Sequence, residues 1–138
     1  MTGKKKFIAT LVALTTLAFG VPAHAAPTLS TYTSQVLKWR DCGGGLFCTT
    51  FKVPMDYTTI DANSFTLHVV KHPATNPSKK IGSLFVNPGG PGGSAVDYAS
   101  AAELIVSDAI NQRYDIVGFD PRGVGKSQPL RCLSLIHI

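Results

Sequence analysis

The chain has 138 residues, of which 44% are hydrophobic and 15% charged, and its formal net charge is +5. This length suffices for one small domain but is short for a complete α/β enzyme. Three of the 13 basic residues, Lys4 to Lys6, lie together at the N-terminus. The rest of the chain is only weakly basic, so its charge pattern excludes an obvious nucleic-acid partner.

Residues 1–25 are predicted to be a secretory signal peptide. The lysines precede an apolar run from Phe7 to Val21, and Ala23-His24-Ala25 follows as an A-x-A cleavage site. A membrane anchor is the weaker alternative, because the run is shorter than the ~20 residues that a membrane span needs. We expect a secreted or cell-envelope protein with no stable membrane span after signal cleavage.

Residues 26–38 are predicted to form a loose leader. Beyond them, Cys42 and Cys48 bracket a flexible, glycine-rich loop, which favours a local disulfide in an oxidising compartment. Two free thiols, or half of a metal site, are the alternatives. No His or Cys partner stands at ligand spacing, so we predict no metal and no cofactor. Cys132 would need a partner outside this chain.

Alternating and apolar runs then predict four strands and one helix. The strands are 49–53, 65–70, 81–86 and 114–119. The helix is 97–112, with Ala101, Leu104, Ile105 and Ala109 at helical spacing and Ser94 or Asp97 as its cap. Two extended runs followed by a strand–helix–strand unit predict an α/β fold with a mostly parallel sheet and functional loops at its carboxyl edge.

A glycine- and proline-rich loop, Asn87-Pro88-Gly89-Gly90-Pro91-Gly92-Gly93-Ser94, follows the third strand. Gly90-x-Gly92-x-x-Ala95, with Asp115 further on, matches a dinucleotide fingerprint, but Pro91 interrupts it and Asp115 begins the next strand instead of ending it. A phosphate loop ending at Gly125-Lys126-Ser127 would need glycine where Asp120 stands. The remaining interpretations are a plain tight turn and an oxyanion-hole loop, in which fixed backbone N–H groups stabilise a negative carbonyl oxygen.

The two stretches 87–94 and 114–127 resemble the α/β-hydrolase fold, specifically the secreted bacterial branch of tripeptidyl and prolyl aminopeptidases and related esterases. Trp39-Arg40-Asp41-Cys42, Cys48 and Val53-Pro54-Met55-Asp56-Tyr57 resemble the opening of that branch. The resemblance implies that residues 39–132 are the N-terminal portion of an α/β-hydrolase domain. It also implies a serine hydrolase that attacks peptides or esters through an acyl-enzyme.

Site residues follow from the same resemblance. Gly89 and Gly90 match the oxyanion turn, with Gly90 expected to donate its N–H. Prolyl iminopeptidases usually have His before these two glycines, so Pro88 favours the tripeptidyl-like branch. The loop after the last strand is expected to shape the sheet edge and pocket mouth, with any Asp120–Arg122 ion pair structural; its matching residues are Asp120, Arg122, Gly123, Gly125 and Ser127.

The catalytic triad is missing from this sequence. Gly92-Gly93-Ser94-Ala95-Val96 lacks the last glycine of a G-x-S-x-G elbow, and Lys126 and Gln128 flank Ser127. We therefore expect the serine, acid and histidine to lie beyond the C-terminus and the chain itself to be inactive. Residues 133–138 resemble a translated sequencing adapter and are expected to be non-native, with a genuine apolar tail as the alternative.

Two expectations concern the chain by itself. Strand 114–119 would be central in a full sheet and is expected to present an unpaired edge here, which would make the chain unstable alone. The alternative function is a small, secreted, non-catalytic binding domain closed by the Cys42–Cys48 loop. A cooperative thermal melt of residues 26–132 would favour that domain, whereas aggregation would favour a fragment.

Overall fold

All four predicted strands are present in the computed structural model, which describes residues 27–61 and 63–131. The strands are β1 (Arg40–Asp41), β2 (Phe47–Pro54), β3 (Ser64–His72), β4 (Gly82–Phe85) and β5 (Tyr114–Phe119). The helices are α1 (Leu29–Thr33), α2 (Ala95–Ser100), α3 (Ala102–Ile105) and α4 (Asp108–Asn111), with a 3₁₀ turn at Pro77–Lys79. The predicted signal peptide, Cys132 and the tail lie outside the described residues.

The strands form one sheet in the order β1-β2-β3-β5-β4. The predicted mostly parallel sheet is wrong for this part of the chain: β4 and β5 are parallel, whereas the other three pairings are antiparallel. Short connections account for the antiparallel pairs β1–β2 and β2–β3, because a parallel crossover needs a dozen or more residues. The 55–63 link between β2 and β3 is too short for one, whereas the 86–113 link between β4 and β5 carries three helices.

The predicted helix 97–112 is three short helices instead of one. Ser94 caps the first, as predicted, because its Oγ accepts a hydrogen bond from the Asp97 N–H at 3.0 Å. The chain leaves helical geometry at Val106, whose φ of −126° and ψ of 156° are extended. The buried face also differs from the prediction: Leu104, predicted on it, is 89% exposed, and the helical core residues are Val96, Ala99 and Ala102.

The core forms where α2 lies across β3 and β5. Val70 and Ile116 are fully buried beneath the alanines of α2. This close approach depends on Gly118, since a Cβ at that position would overlap the Ala95 carbonyl and the Ala99 side chain. A glycine near the carboxyl end of β5 therefore sets how near α2 comes to the sheet.

The edge strands of the sheet are β1 and β4, and β5 is an inner strand. Strand β5 lies between β3 and β4 and pairs on both sides, so the expected unpaired edge at 114–119 is wrong. After β3 the chain passes the position beside β3 and forms β4 at the edge. The crossover through the helices then returns the chain to the position between β3 and β4, where it forms β5. Phe85 is 66% exposed and Leu84 37% exposed on β4, and an edge strand with exposed apolar side chains favours pairing with further chain.

The leader is less loose than predicted. Residues 29–33 form α1, and the Gln35 side chain bridges to the edge of β2. Its Nε2 donates to the Lys52 carbonyl at 2.7 Å, and its Oε1 accepts from the Lys52 N–H at 2.8 Å. A side-chain amide thus substitutes for a neighbouring strand there. The predicted Cys42–Cys48 disulfide is present and closes the glycine loop before β2.

An ion pair between the buried Asp115 and the partly exposed Lys80 holds the link between β3 and β4. The Asp115 carboxylate accepts from Lys80 Nζ at 2.6 Å and from the Ala74 N–H at 3.0 Å, and Asp115 is 4% exposed. Burial alone would raise the pKa of Asp115, but the hydrogen bonds from Lys80 and Ala74 outweigh it and hold the pKa below its ordinary 3.8. Asp115 therefore remains charged where it anchors the start of β5.

Candidate active site

The glycine-rich loop at residues 87–93 projects from the carboxyl end of β4 into solvent. Gly89 and Gly92 both adopt a φ of +85°, which only glycine tolerates at low cost. The Gly89 N–H donates to Asn87 Oδ1 at 3.0 Å. Among the described residues, nothing accepts a hydrogen bond from the Gly90 N–H. Of the two predicted oxyanion donors, Gly89 is therefore engaged within the loop and Gly90 is available.

Asp120 joins this loop to the rest of the sheet edge. It follows β5 directly and is 1% exposed. One carboxylate oxygen, Oδ1, accepts from Ser94 Oγ at 2.7 Å and from the Val96 N–H at 3.1 Å. The other, Oδ2, accepts from the Lys126 N–H at 3.1 Å. Asp120 therefore faces the start of α2 and is not directed into an open pocket.

The remaining predicted loop residues fold back around Asp120. Gly125 has a φ of +51°, and a Cβ there would overlap the Asp120 carboxylate. Gly123, at a φ of +81°, donates its N–H to the Ser127 carbonyl at 2.9 Å. The two glycines thus allow a tight turn that brings the Lys126 N–H onto the carboxylate.

Ser127 is fully buried and pairs with β3. Its Oγ accepts from the His68 N–H at 2.8 Å, and the Gln128 side chain accepts from the Thr66 N–H at 2.8 Å. These two side chains pair with β3 beyond the end of its ladder with β5. No local signal in the sequence marks Gln128 or His68, because their partners are 62 and 59 residues away, respectively.

Arg122 does not pair with Asp120, so the ion pair considered from the sequence is not formed. Its Nη1 donates to the Met55 carbonyl at 3.1 Å, and the guanidinium lies 5.3 Å from the Tyr57 ring centroid and 5.5 Å from that of Phe65. Carbonyl and aromatic partners hold this cation in place. Arg122 therefore fastens the loop to the link between β2 and β3.

Neither serine of this site is arranged as a nucleophile. Ser94 Oγ donates to Asp120 and accepts from the Asp97 N–H, and no imidazole is among its hydrogen-bond partners. Ser127 is buried against β3. An activated serine needs an adjacent general base, and neither Ser94 nor Ser127 has one among its hydrogen-bond partners. No group of three or more metal-ligating side chains occurs within 27–61 and 63–131.

His68 lies beside Asp120 and Lys126, the two charged residues of this loop that act on its imidazole. Its Nδ1 is buried without a hydrogen-bond partner among the described residues. Burial, and then the positive charge of Lys126, lower the pKa of His68 below its ordinary 6.5, and the Asp120 carboxylate only partly opposes them. The neutral imidazole is therefore the form that the fold favours.

We expect an NMR titration of the full chain to show His68 protonating below pH 6.5. Lys126→Gln should raise its pKa, whereas Lys79→Gln, in the exposed 3₁₀ turn, should leave it unchanged. Because the folded-state pKa is lowered, the stability that His68 contributes is fully present above about pH 6.5 and is lost as the pH falls through the folded pKa. A His68 midpoint at or above 6.5, or equal shifts in both variants, would contradict this account.

The described residues form part of an α/β sheet. A glycine turn follows its parallel strand β4 at the carboxyl end, as in serine hydrolases. No protein-family model matches the chain. Curated relatives do match. Serine protease Hip1 of Mycobacterium tuberculosis is 38% identical over 104 residues, which cover 69% of this chain and 20% of that protein.

Two further relatives belong to the same kind of enzyme by name. Carboxylesterase B of Mycobacterium tuberculosis is 48% identical over 87 residues, covering 62% of this chain and 16% of that protein. Tripeptidyl aminopeptidase of Streptomyces coelicolor is 36% identical over 106 residues, covering 70% of this chain and 20% of that protein. These matches confirm the resemblance: the chain is a homologue of bacterial α/β-hydrolase-like serine hydrolases. It spans about a fifth of their length or less.

Proposed function

We propose that this chain is the oxyanion-loop portion of an exported serine hydrolase. The complete enzyme would release short peptides or residues from a free N-terminus, or cleave esters, through an acyl-enzyme formed on serine. The relatives support the reaction class, since their names span protease, aminopeptidase and carboxylesterase. The signal-peptide pattern at residues 1–25 supports export.

The observation that carries the proposal is the unequal use of the two glycine N–H groups. The turn at 89–90 lies at the carboxyl end of β4, where a hydrolase forms its oxyanion hole. The Gly89 N–H donates to Asn87 Oδ1, which shapes the turn, and the Gly90 N–H has no acceptor among the described residues and is free to bind an oxyanion. A donor held in place before the reaction stabilises the oxyanion without reorganisation.

We propose that the serine, acid and histidine of the catalytic triad lie elsewhere in a longer protein. The sequence contains no G-x-S-x-G elbow, and both serines of the site are engaged structurally. The exposed edge of β4, with Phe85 and Leu84, supports pairing with a further strand. An oxyanion hole without an attacking group does not turn over substrate, so the chain alone should be inactive.

The site argues against the dinucleotide alternative. A bound pyrophosphate would occupy the N-terminus of the helix that follows the glycine loop. The Asp120 carboxylate already accepts the Val96 N–H at that position and would repel a phosphate. Asp115, the acidic residue of the fingerprint, is buried against Lys80 and Ala74 and cannot reach a ribose. We therefore propose a hydrolase that needs no cofactor.

A hybrid enzyme tests the proposal. Residues 39–131 of this chain replace the matching segment of Mycobacterium tuberculosis carboxylesterase B, and hydrolysis of a nitrophenyl ester is measured. We expect the hybrid to retain turnover within about tenfold of the host, and the 138-residue chain alone to show none above buffer. A folded but inactive hybrid would contradict the assigned role of the loop, and turnover by the chain alone would contradict the missing triad.

Determining the substrate class requires the complete parent protein. Sequencing the parent gene past codon 132 should reveal a G-x-S-x-G elbow and later an acid and a histidine, whereas a stop codon directly after Ile138 would contradict the catalytic role. The purified product is then given a tripeptide anilide with a free N-terminus, the same anilide N-acetylated, and a nitrophenyl ester. Because Pro88 favours the tripeptidyl-like branch, we expect the free tripeptide to be preferred.

One observation favours the binding-domain alternative. A groove of about 420 Å³ lies on the face of the sheet opposite α2, with the aromatic residues Trp39, Phe51, Phe85 and Phe119 in its lining. Such a groove could hold an apolar ligand if the chain folded alone. A cooperative thermal melt of residues 26–132 with no elbow in the parent gene would support that function over the hydrolase.

A further inference from the structure

The Asp120 carboxylate is buried and hydrogen-bonded to two segments of the chain. Its partners are Ser94 at the end of the glycine loop, the Val96 N–H in the first turn of α2, and the Lys126 N–H in the loop after β5. Its own N–H donates to the His68 carbonyl on β3 at 3.1 Å. No cation lies within salt-bridge distance of it among residues 27–61 and 63–131. Hydrogen bonds therefore stabilise this buried charge.

The contacts continue from Ser94 to the proposed oxyanion donor. Ser94 follows Gly93 directly, and Gly93 packs against the start of the loop. A Cβ on Gly93 would lie 2.9 Å from the Gly89 carbonyl oxygen and 3.0 Å from Pro88 Cγ. The two ends of the loop are thus in contact, and fixing Ser94 restrains Pro88 and Gly89, the residues immediately before Gly90.

We infer that Asp120 is a positioning residue for the oxyanion loop. It acts through Ser94 and Gly93 and touches no reacting atom. Its carboxylate binds Ser94 at the C-terminal end of the loop. That end packs through Gly93 against Pro88 and Gly89, and the Gly90 N–H is thereby held in one direction. This inference rests on the proposed function, because the value of a fixed Gly90 N–H is the stabilisation of an oxyanion.

Asp120→Asn is the sharpest change, since it keeps the shape and removes the charge. The asparagine Oδ1 can still accept from Ser94 and Val96, but its amide then faces the Lys126 N–H, so two donors meet. The bonds that remain are neutral, and neutral hydrogen bonds are roughly half as strong as charge-assisted ones. The loop should therefore loosen while the sheet remains folded.

Asp115→Asn is the matched control. Asp115 is also a buried carboxylate near one end of β5, and it also accepts a backbone N–H. It faces the link between β3 and β4, far along the strand from the loop. Both variants lose a buried charge and should lose stability, so a difference between them in catalysis reports on the loop alone.

The test uses the hybrid enzyme, with ester turnover and hydrogen exchange by mass spectrometry. For Asp120→Asn we expect kcat to fall about tenfold or more with KM within about twofold, and the peptide containing Val96 to exchange about tenfold faster. Asp115→Asn should keep kcat within about twofold at temperatures where it is folded. Equal kcat losses in both variants, or an unchanged Asp120→Asn enzyme, would overturn the inference.

Two further variants keep the test decisive if Asp120→Asn does not fold. Ser94→Ala removes the hydroxyl that links the loop to Asp120, and Ser94→Thr restores it. We expect the alanine variant to lose kcat about tenfold and the threonine variant to regain most of it; no recovery in a folded threonine variant would overturn the inference. If the unmutated hybrid itself is inactive, the proposed function fails. Faster exchange of the loop peptide containing Gly89 in Asp120→Asn, but not in Asp115→Asn, still decides whether Asp120 holds the loop.

Discussion

Gly118→Ala is expected to cause the largest loss of stability, because it prevents α2 from docking on the sheet. The new Cβ would overlap the Ala95 carbonyl carbon and oxygen and approach the Ala99 Cβ to 2.8 Å. Two of these three atoms are backbone and cannot rotate away. Overpacking a core typically costs 1–3 kcal/mol, and a clash with backbone should lie at the upper end, roughly 3 kcal/mol or more.

The thermal unfolding midpoint of the hybrid enzyme measures this effect. Gly82→Ala is the control, since Gly82 is also a strand glycine and a Cβ there meets nothing within 4 Å. We expect Gly82→Ala to change the midpoint little and Gly118→Ala to lower it strongly or to abolish soluble expression. Equal midpoints for the two variants would show that α2 can be accommodated in another position.

Gly90→Ala is expected to cause the largest loss of catalysis in the hybrid. A Cβ on Gly90 would lie 3.0 Å from the Gly92 nitrogen, so the turn has to shift by a few tenths of an ångström. The shift redirects the N–H that we propose as the oxyanion donor. Removing such a donor outright costs about 10²–10³ in kcat, and a displaced donor should cost about 10- to 100-fold.

Steady-state kinetics with the nitrophenyl ester separate this effect from a loss of folding. Since the donor acts on the transition state, kcat and kcat/KM should fall together while KM stays within about twofold. Gly82→Ala serves again as the control and should retain the kcat of the unmutated hybrid. A Gly90→Ala enzyme with full kcat would show that the oxyanion donor lies elsewhere in the protein.

The sequence by itself determined the strands, a helix cap and the disulfide, but not where the helical segment 97–112 is interrupted. The alternation from Phe65 onward, and the apolar runs at 81–86 and 114–119, predicted strands that the structure confirms. Ser94 was recognisable as a cap, and Cys42 and Cys48 as a local pair. The two glycine-rich motifs carried the resemblance to serine hydrolases that the relatives confirm. All of these signals reside within a few neighbouring residues.

The tertiary structure decided everything that depends on distant partners. It placed β5 inside the sheet and β4 at its edge, and it made most pairings antiparallel. It paired Arg122 with the Met55 carbonyl, 67 residues away, and Asp120 with Ser94, 26 residues away. Spacing along the chain predicts periodic local structure, whereas the partner of a buried charge depends on which segments the fold brings together. For that reason the glycine loop and the loop that contains Asp120 were predictable from the sequence, whereas the contact between Asp120 and Ser94 was identified only from the structure.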